Sequence, residues 1–273
     1  MKFCRFSPLD PSISTNPTPL YGIIEGEQIR EISGAPWGQW SRASRSWPLA
    51  KTRLLAPVEP SKIVCVGRNY VDHVAELGNV VPKEPLLFLK APSSIVGSGE
   101  PIVLPSYSQR VDYEGELAVI VGRRCAHLGD TDDPLSYLFG YTCLNDITAR
   151  DLQKSDVQFA RAKGFDTFCP VGPHIETQLN PSDVLVETHV NGARRQSGST
   201  SLMIYPVAFL VRYISRMMTL LPGDVIATGT PAGVGPLTAG DVVEVSVAGI
   251  GTLRNPVHGP RAQLRAPHFI SVI

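Results

Sequence analysis

The stretch that most constrains the fold of this 273-residue chain is Val111-Asp-Tyr-Glu-Gly-Glu-Leu-Ala-Val-Ile-Val-Gly122. Read as a strand, its side chains alternate between two faces. Glu114, Glu116, Ala118 and Ile120 share one face, and Tyr113, Leu117, Val119 and Val121 share the other. Both faces turn apolar towards Val121, so the strand enters a core. Yet it carries two carboxylates on one face, about 6.6 Å apart along the strand. Like charges at the edge of a core repel and lose hydration, so they require a cation. For the strand alone, a solvated pair of glutamates, or a pair neutralised by Arg or Lys, is the ordinary alternative. The rest of the chain reverses that balance.

Hydrophobic residues make up 43% of the chain and the mean hydropathy is +0.03, which argues against disorder. A length of 273 residues suffices for one large domain with a small appendage. Lys+Arg 25 against Asp+Glu 25 cancels, so nothing points to nucleic acid or another polyanion. With 24 Gly, 24 Pro and only 18% charged residues, the chain suits many short strands and turns better than a helical bundle. Five scattered cysteines, none in a C-x-x-C pair, read as small core residues in a reducing compartment. Met1–Asp10 lacks the apolar region of a signal peptide, and no run is long enough to span a bilayer. The expectation is a cytoplasmic protein without a membrane partner, with an organellar matrix as the alternative.

Residues 1–58 read as a small β-rich N-terminal domain, with a hairpin over Tyr21–Ile32 turning at Gly26-Glu27 and an irregular Ser/Arg/Trp-rich stretch to Pro48. Ala56-Pro-Val-Glu-Pro60 is a stiff linker, and 59–273 forms the larger domain. Lys62–Gly67 is a short buried strand leading into a two-turn helix, with Asn69 as its N-cap and Gly78 closing it. On that helix His73 and Glu76 are three apart and share a face. A helix this short is marginal alone, as lid helices are. No G-x-G-x-x-G follows Gly67, which excludes a dinucleotide fold.

The apolar strand Tyr137–Asp146 ends in an acid at a strand-to-helix junction, where a third oxygen ligand can project from a rigid element. Thr148 is the expected cap of the next helix. Pro206 to Thr219 is the one clear amphipathic helix, with Val207, Leu210, Ile214, Met217 and Met218 towards the core. Asp224–Gly235 is a strand entering a Gly-rich loop whose N–H groups and Thr hydroxyls can cradle a carboxylate. It has no P-loop lysine, so a nucleoside triphosphate site is excluded.

Five motifs then occur in order. They are Val66-Gly-Arg-Asn-Tyr-x-x-His-x-x-Glu76, Asp112-Tyr-Glu-Gly-Glu-Leu117, Asn145-Asp-x-Thr-Ala-Arg-Asp-x-Gln153, Lys163-x-Phe-Asp-x-Phe-x-Pro170 and Gly223-Asp-x-Ile-x-Thr-Gly-Thr-Pro231. Together they resemble the fumarylacetoacetate hydrolase family, from about Pro60 to Val257. The resemblance implies a β-rich α+β fold, with mixed sheets rolled around a metal site, few short helices and a homodimer. It makes Glu114, Glu116 and Asp146 the metal ligands, and His73 and Glu76 a catalytic dyad on a lid helix. Lys163 would be the positive group near the reacting carbonyl. Arg68, Tyr70, Arg150, Gln153 and Thr230 would contact substrate. An all-carboxylate ligand set independently favours a hard cation, Mg²⁺ or Mn²⁺ with Ca²⁺ as a further option.

The expected substrate is a small 2-oxo or 2,4-dioxo carboxylic acid reacting through a stabilised enolate. Hydrolytic C–C cleavage of an acylpyruvate is the first expectation. Oxaloacetate decarboxylation or tautomerisation, and isomerisation of 2-hydroxy-diene-dioates, are the alternatives within the family. A non-catalytic, metal-stabilised binding protein is the alternative outside it, and intact His73, Glu76 and Lys163 argue against that one.

Overall fold

A computed structural model describes residues 1–9 and 18–260; residues 10–17 and 261–273, the latter ending the expected larger domain, lie outside the described part. The β-branched and aromatic segments bounded by Gly and Pro become a twelve-stranded sheet. Its main path runs through Arg42–Pro48, Gln28–Ile32, Leu20–Glu25, Lys2–Pro8, Cys169–Glu176, Leu138–Asn145, Gly115–Val121, Val225–Ala227, Ile63–Gly67 and Leu86–Lys90. A five-stranded sheet is built from Ala193–Ser199, Leu185–Val190, Val242–Val247, Gly251–His258 and Ile102–Val103. Three short strands, Thr148–Ala149, Val111–Tyr113 and Gly235–Pro236, form a third sheet. The four α-helices among the described residues are short: Val71–Glu76, Arg150–Ser155, Ala160–Gly164 and Val207–Met217. The fold is therefore β-rich with few short helices, as the composition requires. Among the described residues no helix is long and apolar enough to cross a membrane.

Gly115–Val121 is central to the largest sheet and fully buried along its length. Leu117, Val119 and Val121 pack with Val186, Val245 and Leu253 of the five-stranded sheet and with Leu210 and Ile214 of the long helix. Ala118 and Ile120 pack on the opposite face with Ile63, Cys65, Val171 and Val225. Each such large aliphatic side chain contributes about 1.5–3 kcal/mol by burial. The site strand is thus anchored on both faces. Its alternation matches the period-two reading of the sequence.

The structure corrects that reading in several places. The stretch from Val111 is two strands, not one: Val111–Tyr113 lies in the three-stranded sheet, Gly115–Val121 in the large one, and Glu114 is the crossing point. Asn69 does not cap the first helix. Its buried amide donates to the Thr228 and Tyr205 carbonyls at 2.7 and 3.0 Å and accepts from Tyr205 N–H at 2.8 Å, leaving Tyr70 at the cap position without a side-chain bond. Thr148 pairs with Asp112 in a strand and donates to the Asp146 carbonyl, so Ala149 precedes the next helix. The supposedly irregular stretch before Pro48 contains the strand Arg42–Pro48. Met217 is exposed although it lies close to the stripe of Val207, Leu210, Val211 and Ile214, because it is the last residue of the helix. Lys2–Pro8 pairs with Cys169–Glu176, which joins the N-terminal strands to the large sheet.

Candidate active site

The antiparallel register Gly115↔Asn145 sets Glu114 beside Asp146. Asp146 N–H donates to the Glu114 carbonyl at 2.8 Å, and Glu114 N–H to the Asn145 side-chain oxygen at 2.9 Å. These bonds turn the side chains of Glu114, Glu116 and Asp146 to one point. An oxygen from each lies within 4.8 Å of the others, and all three residues are buried.

Cations surround two of the three carboxylates. Lys163 Nζ donates to Glu114 Oε2 at 2.8 Å and Asp146 Oδ2 at 2.7 Å, and Arg150 donates to Glu114 Oε1 at 2.6 Å. Burial opposes ionisation of Glu114, but Lys163 and Arg150 outweigh it and hold its carboxyl far below the usual carboxylate range. Burial likewise disfavours a charged Lys163, and Asp146 with Glu114 reverse that and push its ammonium up. Glu116 differs. Among the described residues it has no ion pair, and its Oε2 accepts only the Gly229 N–H at 2.7 Å. Burial, followed by Asp146 and Glu114, pushes its carboxyl well above the usual range. A buried carboxylate short of countercharge, in an all-oxygen cluster of three, fits a hard divalent cation held by Glu114, Glu116 and Asp146.

These acids open into a cleft of about 530 Å³, also lined by Arg68, His73, Glu76, Arg110, Arg150, Gln153, Lys163 and Thr230. Leu77, Leu86, Phe88 and Phe159 form its apolar wall. His73 is buried on the helix Val71–Glu76, with Nδ1 3.4 Å from Glu76 Oε2. Both Glu76 oxygens lie 3.1 Å from the Gly233 N–H, which ties the helix to the Gly-rich loop. Arg150 also reaches Asp112 at 2.9 Å and Gln153 at 2.7 Å.

The cleft therefore brings together His73, Glu76, Lys163, Arg68, Arg150, Gln153, Thr230 and the three acids. Tyr70 is not among the lining residues; it is buried, and its hydroxyl has no hydrogen-bond partner among the described residues. Thr230 lines the cleft, but its hydroxyl donates to the Gly115 carbonyl at 2.8 Å. That bond braces the strand.

Two residues escaped the sequence reading. Lys90 is fully buried at the end of its strand, with Nζ 2.6 Å from Asp146 Oδ1 and 3.1 Å from the Ile147 carbonyl. Gln196 is buried too. It accepts the Gly115 N–H at 2.9 Å and donates to Thr230 Oγ1 and the Pro231 carbonyl, both at 2.8 Å. For Lys90 there was one usable signal, a lysine closing the apolar run Leu86–Leu89. For Gln196, in a polar strand, there was none.

Comparison with known proteins gives the family. The family model for the C-terminal domain of fumarylacetoacetate hydrolase matches residues 62–258, and a model named Rv2993c-like, N-terminal, matches residues 1–57. The chain is 52% identical to protein Rv2993c of Mycobacterium tuberculosis, over 87% of this chain and 93% of that one. It is 42% identical to the oxaloacetate tautomerase YisK of Bacillus subtilis, over 86% of this chain and 82% of that one. Among solved structures, a 5-carboxymethyl-2-hydroxymuconate delta-isomerase from Mycobacterium smegmatis superposes with a TM-score of 0.85. It is 45% identical, over 95% of this chain and 100% of that one.

Proposed function

The chain belongs to the fumarylacetoacetate hydrolase family, an enzyme family, and from that premise we propose that it interconverts the keto and enol forms of a 2-oxo acid of the oxaloacetate type. The observation that carries this reading is the placement of the His73–Glu76 pair in one cleft with three buried carboxylates and a buried ammonium. A tautomerase and a delta-isomerase both relocate a proton, and the names of two similar proteins support that class of reaction.

Mg²⁺ or Mn²⁺ held by Glu114, Glu116 and Asp146 would polarise the oxygens of a 2-oxo acid as a Lewis acid. Lys163 adds fixed positive charge beside the same acids, where enolate oxygen charge develops. His73 Nδ1 faces Glu76, which leaves Nε2 to carry the proton. Nε2 takes a proton from C3 of the keto acid and then returns that proton to the enolate oxygen, which gives the enol and frees Nε2. The reverse transfers regenerate the keto form. Glu76 orients the ring, and the Gly233 N–H keeps Glu76 in place. Arg150 and Gln153 brace Glu114 and the cleft wall.

The apolar wall of Leu77, Leu86, Phe88 and Phe159 favours a second reading, hydrolytic C–C cleavage of an acylpyruvate, in which His73 would draw the proton from water. One set of assays separates the two. Oxaloacetate enol absorbance, pyruvate and CO₂ are followed with oxaloacetate or acetylpyruvate, in Mg²⁺ or in EDTA. Mg²⁺-dependent enol conversion without CO₂ is the expected result. Pyruvate from acetylpyruvate would establish the hydrolase, and pyruvate with CO₂ from oxaloacetate a decarboxylase. Enol conversion no faster than in buffer alone would refute the tautomerase. The same reading makes the protein a cytoplasmic homodimer whose partner is a small 2-oxo acid, with no nucleic-acid or membrane partner. Exposed Leu202, Phe209 and Met217 support an interface between copies, and light scattering at twice the monomer mass is the expected result.

A further inference from the structure

Side chains alternate along the strand Leu86–Lys90, so Leu86, Phe88 and Lys90 share one face. Leu86 and Phe88 line the cleft, and Lys90 ends on Asp146. Phe88 has a further neighbour: the Lys163 ammonium lies over its ring, 4.9 Å from the centroid. Phe159 completes the arrangement. Its ring meets that of Phe88 in a T-shaped contact, with centroids 5.6 Å apart and planes at 76°, and its carbonyl accepts the Lys163 N–H at 2.9 Å. The short helix Ala160–Gly164, entered from Phe159, thus brings the lysine and a brace for the ring to the same place.

An ammonium has three N–H donors. Lys163 is only 1% exposed, and among the described residues two acceptors meet it, Glu114 Oε2 at 2.8 Å and Asp146 Oδ2 at 2.7 Å. The third donor has no hydrogen-bond acceptor there, and an unmet donor on a desolvated cation is costly. The negative face of the Phe88 ring is the partner that remains, and its attraction for a cation grows as water is excluded. A leucine would fill the same wall without such a face. Glu114 and Asp146 are also two of the three acids that fit a divalent cation. That cation repels the ammonium and competes for the charge that holds it, so the lysine needs a holding point that is not an acid.

We propose that Phe88 is a positioning residue for Lys163. Its ring face is the third holding point of the ammonium, and the ammonium draws closer to it when a divalent cation shares Glu114 and Asp146. Phe88 lines the cleft, so the positive charge then stands on the cleft side of the acids, where it stabilises an enolate oxygen. Without the ring the ammonium stays on the carboxylates and opposes the cation. The role in turnover rests on the function proposed above; the contact between ring and ammonium does not.

The test replaces Phe88 by mono-, di- and trifluorinated phenylalanines, which keep the shape of the ring and weaken its negative face step by step. Calorimetric titration with Mg²⁺, without substrate, reads the affinity for the cation. It should fall with each fluorine, to about tenfold weaker for the trifluorinated ring. Scanning calorimetry in EDTA reads the contact before any cation binds, and Tm should fall in the same order by about 2–4 °C in all. Fluorine adds apolar surface, so packing alone would leave Tm level or raise it. Phe88→Leu, which has no ring face, should match the trifluorinated protein in both measurements. In Lys163→Met both series should be level, because the cation is gone. The proposal is overturned if Tm or Mg²⁺ affinity is level across the series in the protein with Lys163, or if the gradients persist in Lys163→Met. If the wild-type protein binds no Mg²⁺, the metal-dependent function has failed, and the Tm series in EDTA still decides the contact. If Mg²⁺ binds and no 2-oxo acid is turned over, the proposed activity alone has failed.

Discussion

Replacing Lys90 by methionine tests the charge balance of the site most directly. Lys90→Met keeps most of the methylene volume, so no large cavity opens, and removes a single buried ammonium. Asp146 Oδ1 loses a bond of 2.6 Å and the Ile147 carbonyl loses one of 3.1 Å. Breaking a buried pair outright costs about 3–5 kcal/mol, because the surviving charge is left alone. Asp146 is not left alone, since Lys163 still reaches Oδ2 at 2.7 Å. The expected loss is therefore near the lower limit, about 3 kcal/mol. For a chain of this size that lowers Tm by about 6–9 °C. Differential scanning calorimetry of both proteins in EDTA reads the loss. Repeating it in excess Mg²⁺ reads its repair, since a divalent cation at the triad supplies the missing positive charge. Mg²⁺ should accordingly stabilise Lys90→Met more than the wild-type protein. A Tm in EDTA within about 2 °C of wild type, less than 1 kcal/mol, would refute the role given to Lys90. A loss that Mg²⁺ leaves untouched would refute the placement of the cation among Glu114, Glu116 and Asp146.

Three further outcomes are expected. Glu116→Gln keeps the shape of the cluster and removes its unpaired charge, so the Tm rise produced by Mg²⁺ should vanish; an unchanged Mg²⁺ titration excludes Glu116 as a ligand. His73→Ala should retain that Mg²⁺ response while turnover falls by about 10²-fold or more, and full turnover would remove His73 from the mechanism. His174 is buried, and burial, followed by the charge of Lys2, lowers its pKa from 6.5 to about 4. The unfolded chain thus takes up a proton below pH 6.5 that the folded chain refuses until about pH 4. Stability attributable to this group is complete above pH 6.5 and declines as the pH falls to about 4, by roughly 3 kcal/mol at most. Urea titrations of wild type and His174→Gln across that range check it; parallel pH profiles would refute it.

The acidic cluster was readable before any coordinates because its logic is local. Two glutamates on one face of a strand entering a core create an electrostatic problem that sequence spacing alone displays. His73 and Glu76, one helical turn apart, were readable for the same reason. The break at Glu114 was not, because nothing in Val111–Gly122 marks where the chain changes sheets. Asn69 and Thr148 misled for a related reason. Both are good helix caps by residue type, and both serve other backbone groups, Asn69 through partners more than a hundred residues away.

The available chemistry is legible in the chain alone: three carboxylates, a histidine–glutamate pair, a lysine and a guanidinium, in five motifs in a recognisable order. Which charges face which depends on the fold. Lys90 and Asp146 are 56 positions apart, Gln196 and Gly115 81 apart, and Lys163 and Glu114 49 apart. Strand order and register bring these pairs together, and those follow from packing both faces of a central strand against separate cores. A cation of fixed geometry and a buried counter-ion are alike in sequence. They differ once the distances are set, because electrostatic energy in a desolvated cleft depends on separation.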